Sequence, residues 1–278
     1  MKTLGEVLKL STTYLAGQGV ARPRRLVEEM LAAILKLERL QLYMQFDRPL
    51  EERELASLRG FLKRKVSGEP LEYILQEVAF FNCRFEVTPA VLIPRPETEI
   101  LLDKASKLLR SQRIIWDVCC GSGCLGISLK KAFPEFEVIL SDISEEALAV
   151  AKKNSMRNQA HVQFYQGDLL QPFKGQKADA VFCNPPYISE REYHDLDIGV
   201  RGFEPRGALV GGETGLEFYV RLAQELPDHL NPGARVFLEI GSGQGEAVKT
   251  LFSQKFWKES RLEKDWAGHD RFFFLEIE

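Results

Sequence analysis

The sequence predicts an α/β fold: a mostly parallel seven-stranded sheet with an antiparallel edge strand, preceded by a small N-terminal helical bundle. Three observations support this. Apolar residues recur every three to four positions through residues 3–66, which is typical of amphipathic helices. From residue 114 onward, short apolar runs alternate with helical patterns, as in sheets covered on both faces. The last two strand-like stretches have no helix between them, which indicates an antiparallel pair at one edge.

The individual elements follow from the same patterns. We expect strands at 114–119, 136–141, 161–166 and 178–183, in the run RVFLEI, and in the final stretches SRLEKD and RFFFLEI. We expect helices from the first strand to about Phe133, at 144–156, at 214–230 and after Gly245, with a long loop at 184–213. Residues 68–96 are rich in proline, aromatic and β-branched residues, which predicts a short hairpin and a constrained loop. The predicted organisation is a helical domain at 1–66, a hairpin linker at 67–95 and an α/β domain at 96–278.

Composition and charge exclude several classes of protein. Of 278 residues, 45% are hydrophobic and 28% charged, which excludes disordered, collagenous and disulfide-scaffold proteins. The net charge of −3 is unevenly spread, because residues 1–66 carry 13 Lys and Arg against 8 Asp and Glu. Residues 67–278 therefore carry −8. The basic block is either a solvated helical surface or a module that faces a partner.

Cysteine usage and the hydropathy pattern indicate the compartment. The five cysteines form no C-x-x-C pair and the four histidines are scattered, so neither a disulfide framework nor a zinc site is expected. A reducing cytoplasm fits best. The N-terminal stretch MKTLGEVLKL is interrupted by charges, and no apolar run approaches 18 residues. We therefore expect neither a signal peptide nor a membrane helix.

The most specific local feature is DVCCGSGCLG, residues 117–126, between a predicted strand and a predicted helix. Its glycine spacing, with Asp142 about 20 residues on, matches the dinucleotide fingerprint. S-adenosylmethionine fits as well, because that cofactor has no phosphate and needs a turn that lets it lie against backbone. With this cofactor, Asp117 is expected to serve the ammonium group directly or through water. Asp142 is expected to accept both ribose hydroxyls.

Other residues complete the predicted cofactor site. Asp168 ends the third strand and is expected to accept from the adenine amino group, with Leu169 near the ring, although a turn or cap is an equal alternative. Cys119 and Cys120 are expected to contribute backbone and packing, with no metal bound. The full predicted set is Asp117, Cys119, Cys120, Gly121, Ser122, Gly123, Asp142, Asp168, Leu169 and Asn184. A second glycine-rich stretch, EIGSGQGE at 239–246, predicts only a tight strand-to-helix turn.

The tetrapeptide NPPY, residues 184–187, follows the fourth strand at the edge where ligands of open parallel sheets bind. An amide or amino nitrogen is a poor nucleophile because its lone pair is delocalised, and two acceptors that hold both N–H bonds orient it. The Asn184 side-chain carbonyl and the Pro185 backbone carbonyl are candidates for these acceptors. Pro186 supplies no competing N–H, and Tyr187 can stack on the planar group and face a sulfonium.

The expected reaction is an in-line methyl transfer from sulfonium to nitrogen, driven by positioning, with Asn184, Pro185 and Tyr187 as catalytic residues. All four residues of NPPY are expected to bind the substrate. A proline-rich turn without chemistry is the alternative. The tetrapeptide also suits an adenine N6 or guanine N2 amino group extruded from nucleic acid, so it indicates the type of nitrogen and leaves the substrate open.

Motifs along nearly the whole chain resemble the protein-(glutamine-N5) methyltransferases, the HemK/PrmC family, which methylate the glutamine of the Gly-Gly-Gln motif in peptide chain release factors. The resemblance is carried by SGEPLEYIL (67–75), LIPRPETEIL (92–101), DVCCGSG (117–123), SDIS (141–144), NPPY (184–187), FEPRGALVGGETGLEFY (203–219), EIGSGQG (239–245) and DWAGHDRFF (265–273).

The resemblance implies a Rossmann-like, S-adenosylmethionine-dependent methyltransferase domain that leaves S-adenosylhomocysteine as product. It implies that NPPY holds the substrate glutamine, that the glycine-rich turn holds the cofactor, and that residues 1–66 dock the release factor. It also implies that Arg95, Pro96 and Glu97 line the site, the alternative being an ion pair between Arg95 and Glu97 that braces the loop. A monomer without bound nucleic acid or membrane is expected.

Two positions depart from the family pattern. Cys119 stands at the first position of the usual glycine-rich turn, and Gln76 stands where a glycine commonly follows YIL. We expect the Cys119 backbone to avoid positive φ, with an effect on cofactor affinity. Two other functions stay open: a nucleic-acid amino methyltransferase, against which the −8 charge of residues 67–278 counts, and a catalytically silent module that binds S-adenosylmethionine or a dinucleotide.

Overall fold

A computed structural model of the chain describes residues 2–109 and 112–278. Its helices are α1 (Leu4–Gly17), α2 (Pro23–Leu35), α3 (Arg39–Leu42), α4 (Glu52–Val66), α5 (Leu71–Leu75), α6 (Pro96–Ser106), α7 (Cys124–Ala132), α8 (Glu145–Asn158), α9 (Glu190–Tyr193), α10 (Ile198–Arg201), α11 (Glu217–Glu225) and α12 (Gly245–Leu251). Its strands are β1 (Glu77–Phe80), β2 (Cys83–Glu86), β3 (Ile114–Val118), β4 (Glu137–Asp142), β5 (Gln163–Gln166), β6 (Ala178–Cys183), β7 (Leu230–Glu239), β8 (Trp257–Lys264) and β9 (Asp270–Ile277).

The chain divides into two compact units. The first comprises Met1–Gln76 with Ile198–Phe203, and the second comprises Glu77–Asp197 with Glu204–Glu278. The first unit thus ends within the predicted boundary range 67–95, and it takes in a short piece of the predicted 184–213 loop.

The first unit is a helical bundle formed by α1 to α5 and α10. Helix α1 starts with a capping box, in which the Thr3 hydroxyl accepts from the Glu6 N–H and the Glu6 carboxylate accepts from the Thr3 N–H. Proline at the first position of α2 suits a helix start, because its missing N–H has no intrahelical acceptor there. Apolar side chains at helical spacing form one core: Leu4, Val7, Leu8, Leu15, Val27, Met30, Leu31, Leu42, Leu50, Leu58, Leu62, Leu71 and Ile74.

The second unit contains a seven-stranded sheet in the order β5-β4-β3-β6-β7-β9-β8. The pairs from β5 through β7 are parallel, and β9 is antiparallel to both β7 and β8. The predicted fold class is confirmed, including the antiparallel edge. Because β3 has β4 on one side and β6 on the other, the direction of strand order reverses between β3 and β6, where open α/β sheets bind ligands.

Both faces of the sheet are buried. Alternate residues of a strand enter opposite cores: Ile115 packs on the side of α6, α7 and α8, whereas Trp116 packs on the side of α11 and α12. The hairpin formed by β1 and β2 closes the first of these cores with Phe80 and Phe85. Helices on both faces explain why the strands read as continuous apolar runs.

Two asparagines of α8 attach the β1–β2 hairpin to the body of the second unit. Asn158 accepts from the backbone N–H of Arg84 and donates to its carbonyl, and Asn154 does the same with Glu86, with distances of 2.6 and 3.0 Å. The Asn154 amide also donates to the Ser122 carbonyl at 3.0 Å. One buried side chain therefore joins the hairpin to the glycine-rich turn.

Candidate active site

A cavity of about 310 Å³ opens at the carboxyl ends of the parallel strands. Most of the residues predicted for the cofactor line it: Asp117, Cys119, Cys120, Gly121, Ser122, Asp142, Asp168, Leu169 and Asn184. Gly123 belongs to the same turn without lining the cavity. Of the remaining NPPY residues, Pro186 lines the cavity, whereas Pro185 and Tyr187 do not. The structure thus brings together Asp117 and Asn184, which are 67 positions apart in the sequence.

The three glycines of the β3–α7 turn have different structural roles. Gly121 has φ +52° and open space where a Cβ would stand. At Gly123, with φ +79°, a Cβ would lie 2.8 Å from the Ile127 side chain and 2.9 Å from that of Leu140. At Gly126 a Cβ would lie 2.7 Å from Leu140. The second and third glycines therefore allow α7 to pack closely on β4, and only Gly121 leaves room for a ligand.

Two carboxylates flank this turn. Asp117 is 1% exposed and its Oδ2 accepts from the Gly126 N–H at 2.8 Å. Burial raises the pKa of Asp117 to about 7, despite that hydrogen bond. Asp142 accepts from the N–H groups of Gly121 and Ser144, each at 2.9 Å, and burial raises its pKa as well. The cavity therefore offers acceptors with negative charge that a cationic ligand would stabilise.

Asp168 already has a cationic partner in the protein. Its Oδ1 accepts from Arg221 Nη1 on α11 at 2.9 Å. Leu169 beside it is 3% exposed and has φ +47°. Both residues line the cavity. The contact of Asp168 with adenine stays a prediction, and in it the Asp168 carboxylate would accept from both Arg221 and the adenine amino group.

Three later positions in the chain, Gly211, Gly215 and Gln244, pack against the backbone of the NPPY segment. The Gln244 side-chain amide donates to the Tyr187 carbonyl at 2.9 Å and accepts from the Gly241 N–H at 2.9 Å. A Cβ at Gly211 would lie 2.3 Å from the Pro186 carbonyl oxygen, and one at Gly215 equally close to the Tyr187 carbonyl oxygen. The stretch 239–246 is thus a strand-to-helix turn, as predicted, and its Gln244 fixes the backbone of NPPY.

Two buried residues that the sequence reasoning missed lie beside NPPY. Thr98 on α6 and Glu239 at the end of β7 are 3% and 1% exposed. The Thr98 hydroxyl donates to Glu239 Oε2 at 2.7 Å, and Asn184 Nδ2 donates to Thr98 Oγ1 at 3.4 Å. Burial raises the pKa of Glu239 to about 7. The available signal was Glu239, the one acidic residue in the run RVFLEI, which follows three consecutive apolar residues.

The hypothesis of an ion pair between Arg95 and Glu97 is wrong. Arg95 Nη2 instead donates to Glu204 Oε1 at 2.5 Å, and the other Glu204 oxygen accepts from the Ile93 N–H at 3.1 Å. Glu204 is 5% exposed. Arg95 therefore pairs with a buried carboxylate 109 positions away in the sequence and not with Glu97, two positions away. Of the three predicted residues, Arg95 lines the cavity, and Pro96 and Glu97 do not.

Two negative findings concern the part of the chain that the structure describes. Residues 2–109 and 112–278 contain no cluster of three or more His, Cys, Asp or Glu side chains that is arranged to hold a metal ion. The helices in these ranges also include none that is long and apolar enough to cross a membrane.

The sequence of this chain is similar to those of known protein families and of individual relatives. The family described as "PrmC N-terminal domain" matches residues 6–75, and that described as "Methyltransferase small domain" matches residues 96–201. A release factor glutamine methyltransferase from Geobacter sulfurreducens is 39% identical over 97% of this chain and 95% of its own. One from Chlamydia trachomatis is 42% identical over 98% of this chain and 93% of its own. The chain belongs to the release factor glutamine methyltransferase family. A third such relative, from Bacillus subtilis, is 39% identical over 98% and 96%.

Solved structures agree with the fold of a release factor glutamine methyltransferase. A methyltransferase from Pyrococcus furiosus matches with a TM-score of 0.55 at 20% identity, over 81% of this chain and 98% of its own. A 16S rRNA N2 G1207 methyltransferase from T. thermophilus, in complex with AdoMet and guanosine, matches with a TM-score of 0.51 at 17% identity, over 73% and 50%. At these identities the likeness shows the fold.

Both departures from the pattern of the release factor glutamine methyltransferase family fall at left-handed backbone positions. Cys119 has φ +58°, so the expectation that its backbone avoids positive φ is wrong. Gln76, which ends α5, has φ +57°. Tertiary packing overrides the local preference at Cys119, because the turn must leave β3 and enter α7 within five residues. The conformation that a glycine would adopt is retained without the glycine.

Proposed function

We propose that this enzyme transfers a methyl group from S-adenosylmethionine to the side-chain amide nitrogen of the glutamine in the Gly-Gly-Gln motif of peptide chain release factors. One observation carries the proposal: Asn184 and Pro186 line the cavity at the carboxyl edge of the sheet, beside three carboxylates, in a chain of this family. The relatives are named for this activity. We expect the reaction to take place in the cytoplasm, where release factors act.

The residues around the cavity fit S-adenosylmethionine by their chemistry. Its volume of about 310 Å³ lies within the range of small-molecule sites. Asp117, Asp142 and Asp168 are acceptors, whereas the cofactor presents an ammonium group, ribose hydroxyls and an amino group, all donors. Asp117 would hold the ammonium group, Asp142 the ribose and Asp168 the adenine. When bound, the cofactor supplies an electrophilic methyl group on a cationic sulfur.

The residues of NPPY would position the substrate amide. The Asn184 side-chain carbonyl and the Pro185 backbone carbonyl would each accept one N–H of the glutamine amide and turn its nitrogen lone pair toward the methyl group. Tyr187 would stack on the planar amide. The N–C bond forms as the S–C bond breaks, which leaves a neutral thioether. No strong base is needed, because the methylated nitrogen is far more acidic and gives its proton to solvent.

Residues 1–66 would dock the release factor through their positive charge. The structure indicates which cations are suited to a test. Arg24 and Tyr43 both hydrogen-bond to the buried carboxylate of Glu28, so Arg24 stabilises the fold. Arg25 pairs with the half-buried Glu29, and Arg22 is exposed. Charge reversal at Arg22 and Arg25 should raise the KM for the release factor, and unchanged KM would remove this patch from the docking surface.

A nucleic-acid amino methyltransferase is the second candidate, since NPPY suits either kind of nitrogen. The charge of −8 on residues 67–278 opposes it, because phosphate backbones bind to basic grooves. The names of the close relatives oppose it as well.

The decisive experiment uses labelled S-adenosylmethionine with an unmodified release factor and, separately, with DNA and RNA. We expect label on the Gly-Gly-Gln glutamine, located by mass spectrometry, and none on a release factor in which that glutamine is replaced by alanine. Label on nucleic acid with none on the release factor would overturn the proposal. Binding of NAD in place of S-adenosylmethionine in a titration would overturn the choice of cofactor.

A further inference from the structure

We propose that Thr98 and Glu239 are positioning residues that fix the direction of the Asn184 side-chain amide, so that its oxygen rather than its nitrogen faces the substrate. This inference rests on the proposed function and adds to it two residues from distant parts of the chain. Neither belongs to the glycine-rich turn or to NPPY.

The direction of the hydrogen bonds follows from the chemistry of the groups. An ionised carboxylate only accepts, so the Thr98 hydroxyl must donate its one proton to Glu239, at 2.7 Å. The Thr98 oxygen then has only lone pairs left. The group that contacts it from Asn184 must therefore be a donor, which is Nδ2, at 3.4 Å. The two hydrogen bonds thus form a series in which Asn184 donates to Thr98 and Thr98 donates to Glu239.

The direction matters because the two ends of an asparagine amide have nearly the same size and shape. Packing alone does not distinguish them. With Nδ2 on Thr98, Oδ1 stays available on the opposite side of the amide, and it has no hydrogen-bond partner among residues 2–109 and 112–278. Asn184 lines the cavity. A reversed amide would present N–H groups to the substrate nitrogen, whose own N–H bonds need an acceptor.

Glu239 is held firmly enough to serve as the fixed end of the series. It is 1% exposed at the end of β7, and its backbone carbonyl accepts from the Tyr219 hydroxyl at 2.8 Å. Its Oε1 lies 3.5 Å from the Tyr187 hydroxyl. The same carboxylate therefore contacts Tyr187 directly and Asn184 through Thr98, at both ends of NPPY.

The charged state of Glu239 gives the series its direction. Burial raises the pKa of Glu239 to about 7, the Thr98 hydrogen bond and the charges of Arg271 and Arg95 lower it, and that of Glu97 raises it. A neutral Glu239 can donate to Thr98, and the Thr98 hydroxyl can then donate elsewhere. Loss of the negative charge thus removes the reason for Asn184 to keep its orientation.

The test removes the Thr98 hydroxyl without changing the shape of the side chain. Thr98→Val should lower kcat for the release factor by about 10- to 100-fold, the size of a misplacement near the reacting atoms. Cofactor affinity should stay within about twofold, and Thr98→Ser should restore most of the rate. Thr250→Val, on the exposed side of α12, is the matched control and should leave kcat unchanged.

Glu239→Gln supplies an independent readout. We expect wild-type kcat to rise with pH near 7, as Glu239 becomes charged. The variant should lower kcat and abolish this rise, whereas Glu246→Gln, on the exposed side of α12, should keep it. Wild-type kcat in Thr98→Val would overturn the proposal. Equal losses in Thr98→Val and Thr98→Ser, or parallel losses of rate and cofactor affinity, would also overturn it, because they indicate packing.

A wild type that methylates no release factor would refute the proposed function and leave the positioning role to a spectroscopic test. The ¹⁵N-labelled side-chain amide of Asn184 should show slower hydrogen exchange in the wild type than in Thr98→Val. Equal exchange in the two proteins would refute the positioning role.

Discussion

The Oδ2 oxygen of Asp117 accepts a hydrogen bond from the backbone N–H of Gly126 at 2.8 Å, across the glycine-rich turn. This bond fixes the carboxylate at the start of the cavity and leaves its second oxygen for a ligand. Because the side chain is 1% exposed, the pKa of Asp117 rises to about 7, so the charge that a cationic ligand requires is only partly present at neutral pH.

Cofactor affinity should therefore depend on pH. An acid with a raised pKa is neutral below that pKa, so the affinity for S-adenosylmethionine should increase as pH rises from about 6 to 8, with release of a proton on binding below pH 7. Isothermal titration in buffers of different ionisation enthalpy measures both effects. Asp117→Asn should bind the cofactor more weakly and without this pH dependence; an unchanged pH profile would assign the titration to another group.

Asn184→Ala should separate binding from catalysis. The variant removes one oriented acceptor for the substrate amide and leaves the three cavity carboxylates in place. We expect a loss of turnover by orders of magnitude, with cofactor affinity largely intact, measured by methyl transfer and by titration. An equal loss of both would show that Asn184 mainly supports the cofactor.

Cys119 gives a prediction about stability. Cys119→Gly and Cys119→Ala both remove the thiol, but only glycine adopts φ +58° without strain. We expect the free energy of unfolding of the glycine variant to exceed that of the alanine variant by about 1 kcal/mol. This difference is the cost of the left-handed conformation for alanine minus the cost of ordering the more flexible glycine. Denaturant unfolding measures the difference. Alanine is usually the more stable of the two, so a result in that ordinary order would contradict the assigned backbone conformation.

Gly211 tests the support of NPPY. A Cβ at this position would lie 2.3 Å from the Pro186 carbonyl oxygen, so Gly211→Ala must displace that segment. We expect destabilisation of roughly 1–3 kcal/mol and a marked fall in kcat. Gly60→Ala on α4 is the control, because nothing lies within 4 Å of its added Cβ and Gly60 does not line the cavity. Full activity in both variants would show that the backbone of NPPY tolerates movement.

The sequence predicted what depends on local pattern. Seven strand-like stretches identified the seven strands of the sheet, and the position of NPPY after the fourth stretch placed it at the carboxyl edge. Boundaries were less accurate. The predicted helix 214–230 is α11 at Glu217–Glu225, because Gly215 has φ +78° just before its start and the chain continues beyond it as a 3₁₀ turn at Leu226–His229.

The partners of site residues were beyond sequence reasoning for a physical reason. Thr98 and Glu239 are 141 positions apart, and Asp168 and Arg221 are 53 apart, so only the folded sheet brings each pair together. The Cys119 backbone is a related case, since local preference argues against positive φ and tertiary packing imposes it. Local rules describe segments, whereas a site is made of distances between segments.

Asn154 connects the glycine-rich turn of the site to the β1–β2 hairpin at the periphery of the second unit. Its amide donates to the Ser122 carbonyl in the glycine-rich turn, and its carbonyl accepts from the Glu86 N–H in the β1–β2 hairpin. A ligand that stiffens the turn therefore slows the opening of this bond as well. The Glu86 amide proton, distant in the sequence from every residue proposed to hold the cofactor, becomes a natural isotope-exchange reporter of whether the cavity is filled.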